Sequence, residues 1–292
     1  MKEFTIVFTD SGLGGLSIMV DFYNQTKRYQ NENSSHTFNL VFYNALAENG
    51  QGYNKMSTAG LKVKTLNNAL IRIEKRHKPD IIAIACNTLS AIYPLTEFAT
   101  RNKNVTEIIS IGRAQIEHYC KDNQDTPVII LATPTTIESN AYKMDHLNVK
   151  QFSGANLASL IEFDYKSDDL RKVLNFIFQN IISSIGQKQK IALFLGCTHY
   201  GYIEDLLHNT ASENNLKVDV ILNPNKVFCT ELLSQVKTNT INQFKNMNIN
   251  LKIESQAIID PSEVNSVCHL LEEISPEITD LLKNYKYLPN QF

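Results

Sequence analysis

The 292-residue chain has no apolar run approaching the roughly 20 residues that cross a bilayer; runs such as Ile81 to Cys86 and Ile191 to Leu195 are far too short. It has no large excess of either charge. The 28 Lys and Arg face 30 Asp and Glu, for a formal charge of −2, and no basic run stands out, which excludes the electrostatic footprint of a nucleic-acid binder. The expected partner is a small molecule. The opening MKEFTIVFTDSG places an acid at Glu3 and enters a strand-like run at once, without a signal-peptide core or cleavage site, so a cytoplasmic protein is expected. Cysteine is scarce, with five residues (Cys86, Cys120, Cys197, Cys229, Cys268) scattered along the chain. That pattern excludes a disulfide framework or a closely spaced zinc site and fits free thiols in a reducing compartment.

What is present is an ordinary globular mixture, 43% hydrophobic and 20% charged, able to bury a sizeable core in one large or two modest domains. Short β-branched and aromatic runs alternate with segments of helical apolar spacing, the pattern of βα units on a mainly parallel sheet, so the fold class is α/β. Strands are predicted at 4–9, 38–43, 81–85, 107–110, 128–132, 149–152, 191–195, 218–222 and 249–253. Most are apolar throughout, as buried parallel strands are. Leu16, Met19, Val20 and Tyr23, and likewise Leu170, Val173, Leu174, Ile177 and Ile181, follow the spacing of helices laid on a sheet. The polar stretch 30–37 reads as a surface loop. The chain also echoes itself: IIAIACNTLSAIY resembles IALFLGCTHYGYI, and FTIVFTDSGLGGLS resembles PVIILATPTTIES. Two similar halves with a cleft between them are implied.

Three constellations could carry chemistry. Asp10-Ser11-Gly12-Leu13-Gly14-Gly15 ends the first strand, where glycines permit a tight turn and let an anion approach backbone N–H groups at a helix start. It is not a dinucleotide fingerprint, because Ser17 stands where the third glycine belongs and Asn44 rather than an acid ends the second strand. No Gly-Lys-Ser/Thr follows, so it is not a P-loop. Cys86 and Cys197 form the other two, each following an apolar strand. There a ligand binds in an open parallel sheet, and there the dipole of the next helix would favour thiolate. Asn87 and Thr88 beside one, and Thr198 and His199 beside the other, suit a polar, charged small molecule. His199 is a candidate proton partner for Cys197, and Asp10 for Cys86. As metal ligands Cys197 and His199 are only two, with no further zinc motif nearby. Cys120, Cys229 and Cys268 lie in helical patterns and read as buried hydrophobes.

With Asp10-Ser11-Gly12, Ala85-Cys86-Asn87-Thr88 and Gly196-Cys197-Thr198-His199-Tyr200 in this order, the chain resembles the glutamate racemases of the aspartate/glutamate racemase superfamily. The stretch ATPTTIESNAY (132–142) is similar to the family's Ala-Thr-x-x-Thr-x-x-Ser segment, and Ser-Leu-Ile-Glu, ending at Glu162, to its second-domain acidic motif. The resemblance implies two flavodoxin-like domains related by a pseudo-twofold axis, 1–99 with 209–292 and 100–208, and an active site between them. It implies a cofactor-independent two-base reaction in which one cysteine thiolate removes the α-proton and the opposite thiol returns one. By similarity Cys86 serves the D-enantiomer and Cys197 the L-enantiomer, with Asp10, Glu162 and His199 assisting. Ser11, Asn87, Thr88, Thr135 and Thr198 would stabilise developing charge. The product would supply D-glutamate for peptidoglycan, and a homodimer is compatible with the family.

Departures bear on the substrate. The family's Pro-Tyr-Gly is here Gly52-Tyr53-Asn54, which keeps Tyr53 and Asn54 as candidate contacts to a substrate carboxylate but alters the loop. Asn44 and Ala45 stand in the region of its usual Gly-Asp, and Gly154 where many members carry a structural Cys. Aspartate or another amino acid is the alternative substrate. A catalytically silent binding relative and a one-thiol hydrolase are the readings of other classes; neither needs two matched cysteines.

Overall fold

A computed structural model describes residues 2–31, 34, 36–47, 50–101, 104–186, 189–240 and 247–289. Its strands are β1 (Lys2–Asp10), β2 (His36–Asn44), β3 (Ile81–Ile84), β4 (Val105–Glu107), β5 (Val128–Ala132), β6 (Val149–Ser153), β7 (Lys190–Gly196), β8 (Lys217–Leu222), β9 (Asn248–Ser255) and β10 (Lys286–Tyr287). They form two sheets, in the orders β10-β9-β2-β1-β3-β4 and β6-β5-β7-β8, with every pairing parallel. The order β2-β1-β3-β4 recurs as β6-β5-β7-β8, so the two sequence echoes occupy equivalent strands: β1 matches β5 and β3 matches β7.

Period-two alternation gives each sheet a core on both faces. Ile6, Phe8, Ile81 and Ala83 enter one cluster, whereas Val7, Ile82 and Ile84 enter another. In the second sheet Ile129, Leu131, Leu193 and Leu195 separate in the same way from Val128, Ile130 and Phe194. Burying both faces explains why these strands are apolar throughout. Each aliphatic side chain so buried contributes about 1.5–3 kcal/mol, which anchors the strand ends that carry the polar residues. The expected helices form at Leu16–Thr26 and Asp168–Ile185, the latter capped by the Ser167 hydroxyl, which accepts from the Leu170 N–H. Among the described residues no helix is long and apolar enough to cross a membrane.

Two expectations are corrected. The strand predicted at 107–110 ends at Glu107, because the Glu107 carboxylate accepts from the N–H groups of Ile109 and Ser110 and starts the helix Ile108–Asp122. The six-stranded sheet takes in the chain to Glu107 and again from Asn248, and the four-stranded sheet the chain from Val128 to Leu222; these are the first and second units. The predicted loop 30–37 yields to β2 from His36, and Gln30 already bridges to Met247; residues 32, 33 and 35 lie outside the described residues.

Candidate active site

Strand register sets the geometry. Thr9 pairs with Ile84 and Asp10 with Asn44, so Asp10, Asn44 and Cys86 share one sheet rim; Ala132 pairs with Gly196, which puts Thr133 beside Cys197 on the other. Cys86 (φ −152°, ψ 122°) and Cys197 (φ −151°, ψ 134°) both stay extended after their strands. The alternation therefore continues through them: Cys86 joins the face of Ile82 and Ile84, and Cys197 that of Leu193 and Leu195.

The loop after β1 lies against the second unit. Gly12 and Gly15 N–H groups donate to the Asp10 carboxylate, both at 2.8 Å, and the Leu13 N–H donates to Glu162 Oε1 at 2.6 Å. The anion expected at this glycine turn is thus the protein's own pair of carboxylates. A Cβ on Gly14 would come within 2.5 Å of His199 Nδ1 and Thr198 Oγ1, so close approach, rather than an unusual dihedral, demands glycine there.

Cys86 is 4% exposed. Its Sγ lies 3.2 Å from Ser11 Oγ and 3.5 Å from the Leu89 N–H it accepts at the start of the helix Asn87–Ile92. Burial, reinforced by the Asp10 charge, pushes this thiol well above its ordinary value despite Ser11 and Leu89. The Leu89 N–H at the helix start favours thiolate, as expected, but burial outweighs it at Cys86. Asp10 was expected as its proton partner, yet Asp10 bonds to Gly12, Gly15 and, through Oδ2, the Thr198 hydroxyl at 3.0 Å. The group on Cys86 is Ser11. Burial also raises the Asp10 carboxyl, against the pull of His199 and the Gly12 N–H.

Cys197 is 5% exposed, with Sγ 3.5 Å from His199 Nδ1. The other ring nitrogen lies 2.6 Å from Glu162 Oε1. Burial opposes a charged imidazole, but the Glu162 and Cys197 charges and its hydrogen bonds hold the His199 pKa well above the ordinary range. Glu162 is correspondingly held low: its burial is outweighed by His199 and by bonds from His199 and Leu13 N–H. Sulfur, imidazolium and carboxylate thus form a line ending on the loop of the other unit.

The remaining predicted residues gather at the same junction. Thr88 Oγ1 lies 2.9 Å from Thr133 Oγ1; Tyr142 donates to Asn87 Oδ1 at 2.5 Å; Asn54 Oδ1 accepts from the Thr135 N–H at 3.2 Å. Tyr53 is buried beside Cys86, and its hydroxyl, like Asn87 Nδ2, has no partner among the described residues. Sequence reasoning missed Tyr142, which ends the 132–142 segment, and Tyr202, which donates to the Leu13 carbonyl at 3.0 Å. It also missed Lys62, on the helix Ala59–His77, whose Nζ donates to Thr135 Oγ1 at 2.7 Å. Its LKVKTL setting reads as a solvated helix face.

No family model matches the chain. It is 30% identical over 234 residues to a glutamate racemase of Clostridium perfringens, covering 76% of this chain and 79% of that one. The chain belongs to the glutamate racemase family. A family member from Fusobacterium nucleatum is 27% identical over 220 residues, covering 73% of this chain and 74% of that one. The solved structure of the glutamate racemase of Francisella tularensis, in complex with D-glutamate, superposes with a TM-score of 0.69 at 21% identity, over 92% of this chain and 94% of that one. Membership makes this protein an isomerase.

The departures from the family pattern have local accounts. Gly52 takes φ −65° and ψ 146°, a conformation open to proline, and Asn54 lies in a right-handed 3-10 turn, so neither position is strained. A Cβ at Gly154 would run into the Tyr200 hydroxyl, which donates to the Gly154 carbonyl at 3.3 Å. Tyr200 thus occupies the space that a side chain at position 154 would take.

Proposed function

We propose that this isomerase interconverts L- and D-glutamate by removing the α-proton with one cysteine thiolate and returning a proton to the opposite face from the other thiol, without a cofactor. The observation that carries the reading is the equivalence of Cys86 and Cys197, with the same backbone conformation after equivalent strands of two facing units. Inversion through a planar carbanion needs one base and one acid on opposite faces, and the two exchange roles when the reaction reverses.

The α-proton is a very weak acid, so the site must supply a strong base and stabilise charge. A buried thiol with a raised pKa is seldom ionised, but its thiolate is correspondingly basic and closes part of the gap to Cα–H. Ser11 is the first partner for the Cys86 proton, a role that Asp10 supports from behind by ordering the loop. On the other side the His199 imidazolium, held by Glu162, faces any negative charge on Cys197. Asn87, Thr88, Thr135 and Thr198 provide short donors for carboxylate and amine, with Tyr53 and Asn54 on the altered loop. The cellular role we infer is the cytoplasmic supply of D-glutamate for peptidoglycan, by a protein that can act as a homodimer.

The test is solvent exchange. In deuterated water, product formed from either enantiomer carries deuterium at Cα before recovered substrate does, and Cys86→Ser or Cys197→Ser abolishes racemisation. Normal racemisation by both variants would overturn the reading. The Gly52-Tyr53-Asn54 turn favours a second reading, with aspartate or another amino acid as substrate. Chiral chromatography over an amino-acid panel decides between them.

A further inference from the structure

We propose that Lys62 is the cation that recognises a carboxylate of the substrate, an inference that rests on the dicarboxylic substrate proposed above. Lys62 belongs to the helix Ala59–His77, whose start is capped by the Thr58 hydroxyl accepting from the Leu61 N–H. Its side chain leaves the helix one turn later and reaches the second unit, where Nζ bonds to Thr135 Oγ1 at 2.7 Å. Lys62 is 8% exposed, and among the described residues no carboxylate lies within ion-pair distance of it.

An ammonium has three donors and no acceptor, so one bond to a hydroxyl leaves two N–H groups for another oxygen. A charge buried without a counterion is unfavourable, and a carboxylate entering the crevice would pair it. The surroundings point the same way. The Thr135 that holds Nζ also donates its N–H to Asn54, and adjacent Tyr53, buried beside Cys86, has a hydroxyl with no partner. Asn87, next to Cys86, has an unpartnered, buried Nδ2. Thr135 thus links Lys62 to the turn that carries Tyr53, and both Tyr53 and Asn87 adjoin Cys86 with a polar atom to spare. If the carboxylate is the side-chain one, a neutral amide in its place leaves the ammonium unpaired, and Lys62 then also sets selectivity for an acid over its amide.

The experiment compares wild type with Lys62→Met, Lys62→Gln and Lys62→Arg, by calorimetric titration with D-glutamate, initial-rate kinetics on both enantiomers and thermal melting. Lys62→Gln keeps a polar group able to meet Thr135, so a folding defect in the methionine variant does not end the test. Removing the charge is expected to weaken glutamate binding roughly 100-fold, with KM rising more than kcat falls, and Lys62→Arg to recover part of the loss. Glutamine as a competing ligand identifies the carboxylate. A narrowed glutamate-to-glutamine ratio in the uncharged variants assigns the side-chain group, whereas equal weakening of both assigns the α-carboxylate. A lower melting temperature with unchanged glutamate binding would make Lys62 only a strap between the two units and overturn the proposal. Wild type that binds glutamate without exchanging its α-hydrogen would sink the catalytic reading and leave Lys62 to stand on the affinity difference. Wild type that does not bind glutamate sinks both.

Discussion

Cys86 and Cys197 share a backbone and little else. Each extends a central parallel strand by one residue at nearly the same φ and ψ. Cys86, however, meets neutral partners, the Ser11 hydroxyl and the Leu89 N–H, with the negative Asp10 nearby. Cys197 meets the His199 imidazolium, itself held by Glu162. A repeated fold can place two equivalent thiols, but their electrostatics come from the different side chains that each unit sets beside its own thiol. The Glu162–Leu13 and Asp10–Thr198 bonds tie the two sets together across the junction.

The largest effect that can break the comparison comes from the thiols. Cys86→Ser and Cys197→Ser are each expected to lower kcat/KM by roughly 10³-fold or more. Because the enantiomers have equal energy in water, kcat/KM must fall alike in both directions. The asymmetry lies elsewhere: Cys197→Ser should still exchange the α-hydrogen of the D-enantiomer without inversion, and Cys86→Ser that of the L-enantiomer, as followed by proton NMR in deuterated water. The opposite pairing would reverse the assignment of faces.

Next in size is Glu162→Gln, which leaves the imidazolium without its countercharge. We expect kcat/KM to fall roughly 100-fold, with the primary isotope effect from α-deuterated substrate growing more for the L-enantiomer. The pair also has a pH signature. Glu162 is held below its ordinary 4.5, so its stabilisation is present above that pH and lost as pH falls through its folded value. His199 is held above its ordinary 6.5, so its stabilisation is present below that pH and lost as pH rises through its folded value. Denaturant unfolding across pH should find the stability difference between wild type and Glu162→Gln greatest between those two ordinary values.

Smaller effects come from the loops. Gly14→Ala forces a methyl against His199 and Thr198 and is expected to cost about 1–3 kcal/mol in unfolding free energy, with activity lost by displacement on the Cys197 side. On the Cys86 side, Gly52→Pro should stabilise by about 0.4–1 kcal/mol, since φ already suits proline and a Cβ there would meet nothing within 4 Å. A melting curve checks both, and destabilisation by Gly52→Pro would show that the turn needs glycine.

Much of this was legible in the residues because strand periodicity is local. The apolar runs ending at Cys86 and Cys197 identify their strands, and the motif order points to the family. The strand expected at 107–110 takes in the first turn of the helix Ile108–Asp122, because the β-branched pair Ile108 and Ile109 reads as strand until Glu107 is seen capping the helix. Ser11 rather than Asp10 touching Cys86 could not be read either, since both lie in the same three-residue turn and only the course of the loop decides between them. Lys62 was hidden for a different reason: nothing within its own helix distinguishes a lysine facing solvent from one reaching another unit.

The sequence by itself determined the α/β class, the duplicated strand pattern and the two cysteines at equivalent strand ends, because these follow from side-chain alternation and short-range turn chemistry. Only the tertiary structure decided how the charges beside each thiol are held. His199 is near Cys197 in the chain, but the Glu162 that holds it and the Asp10 near Cys86 are distant, and burial at the junction sets how strongly each acts.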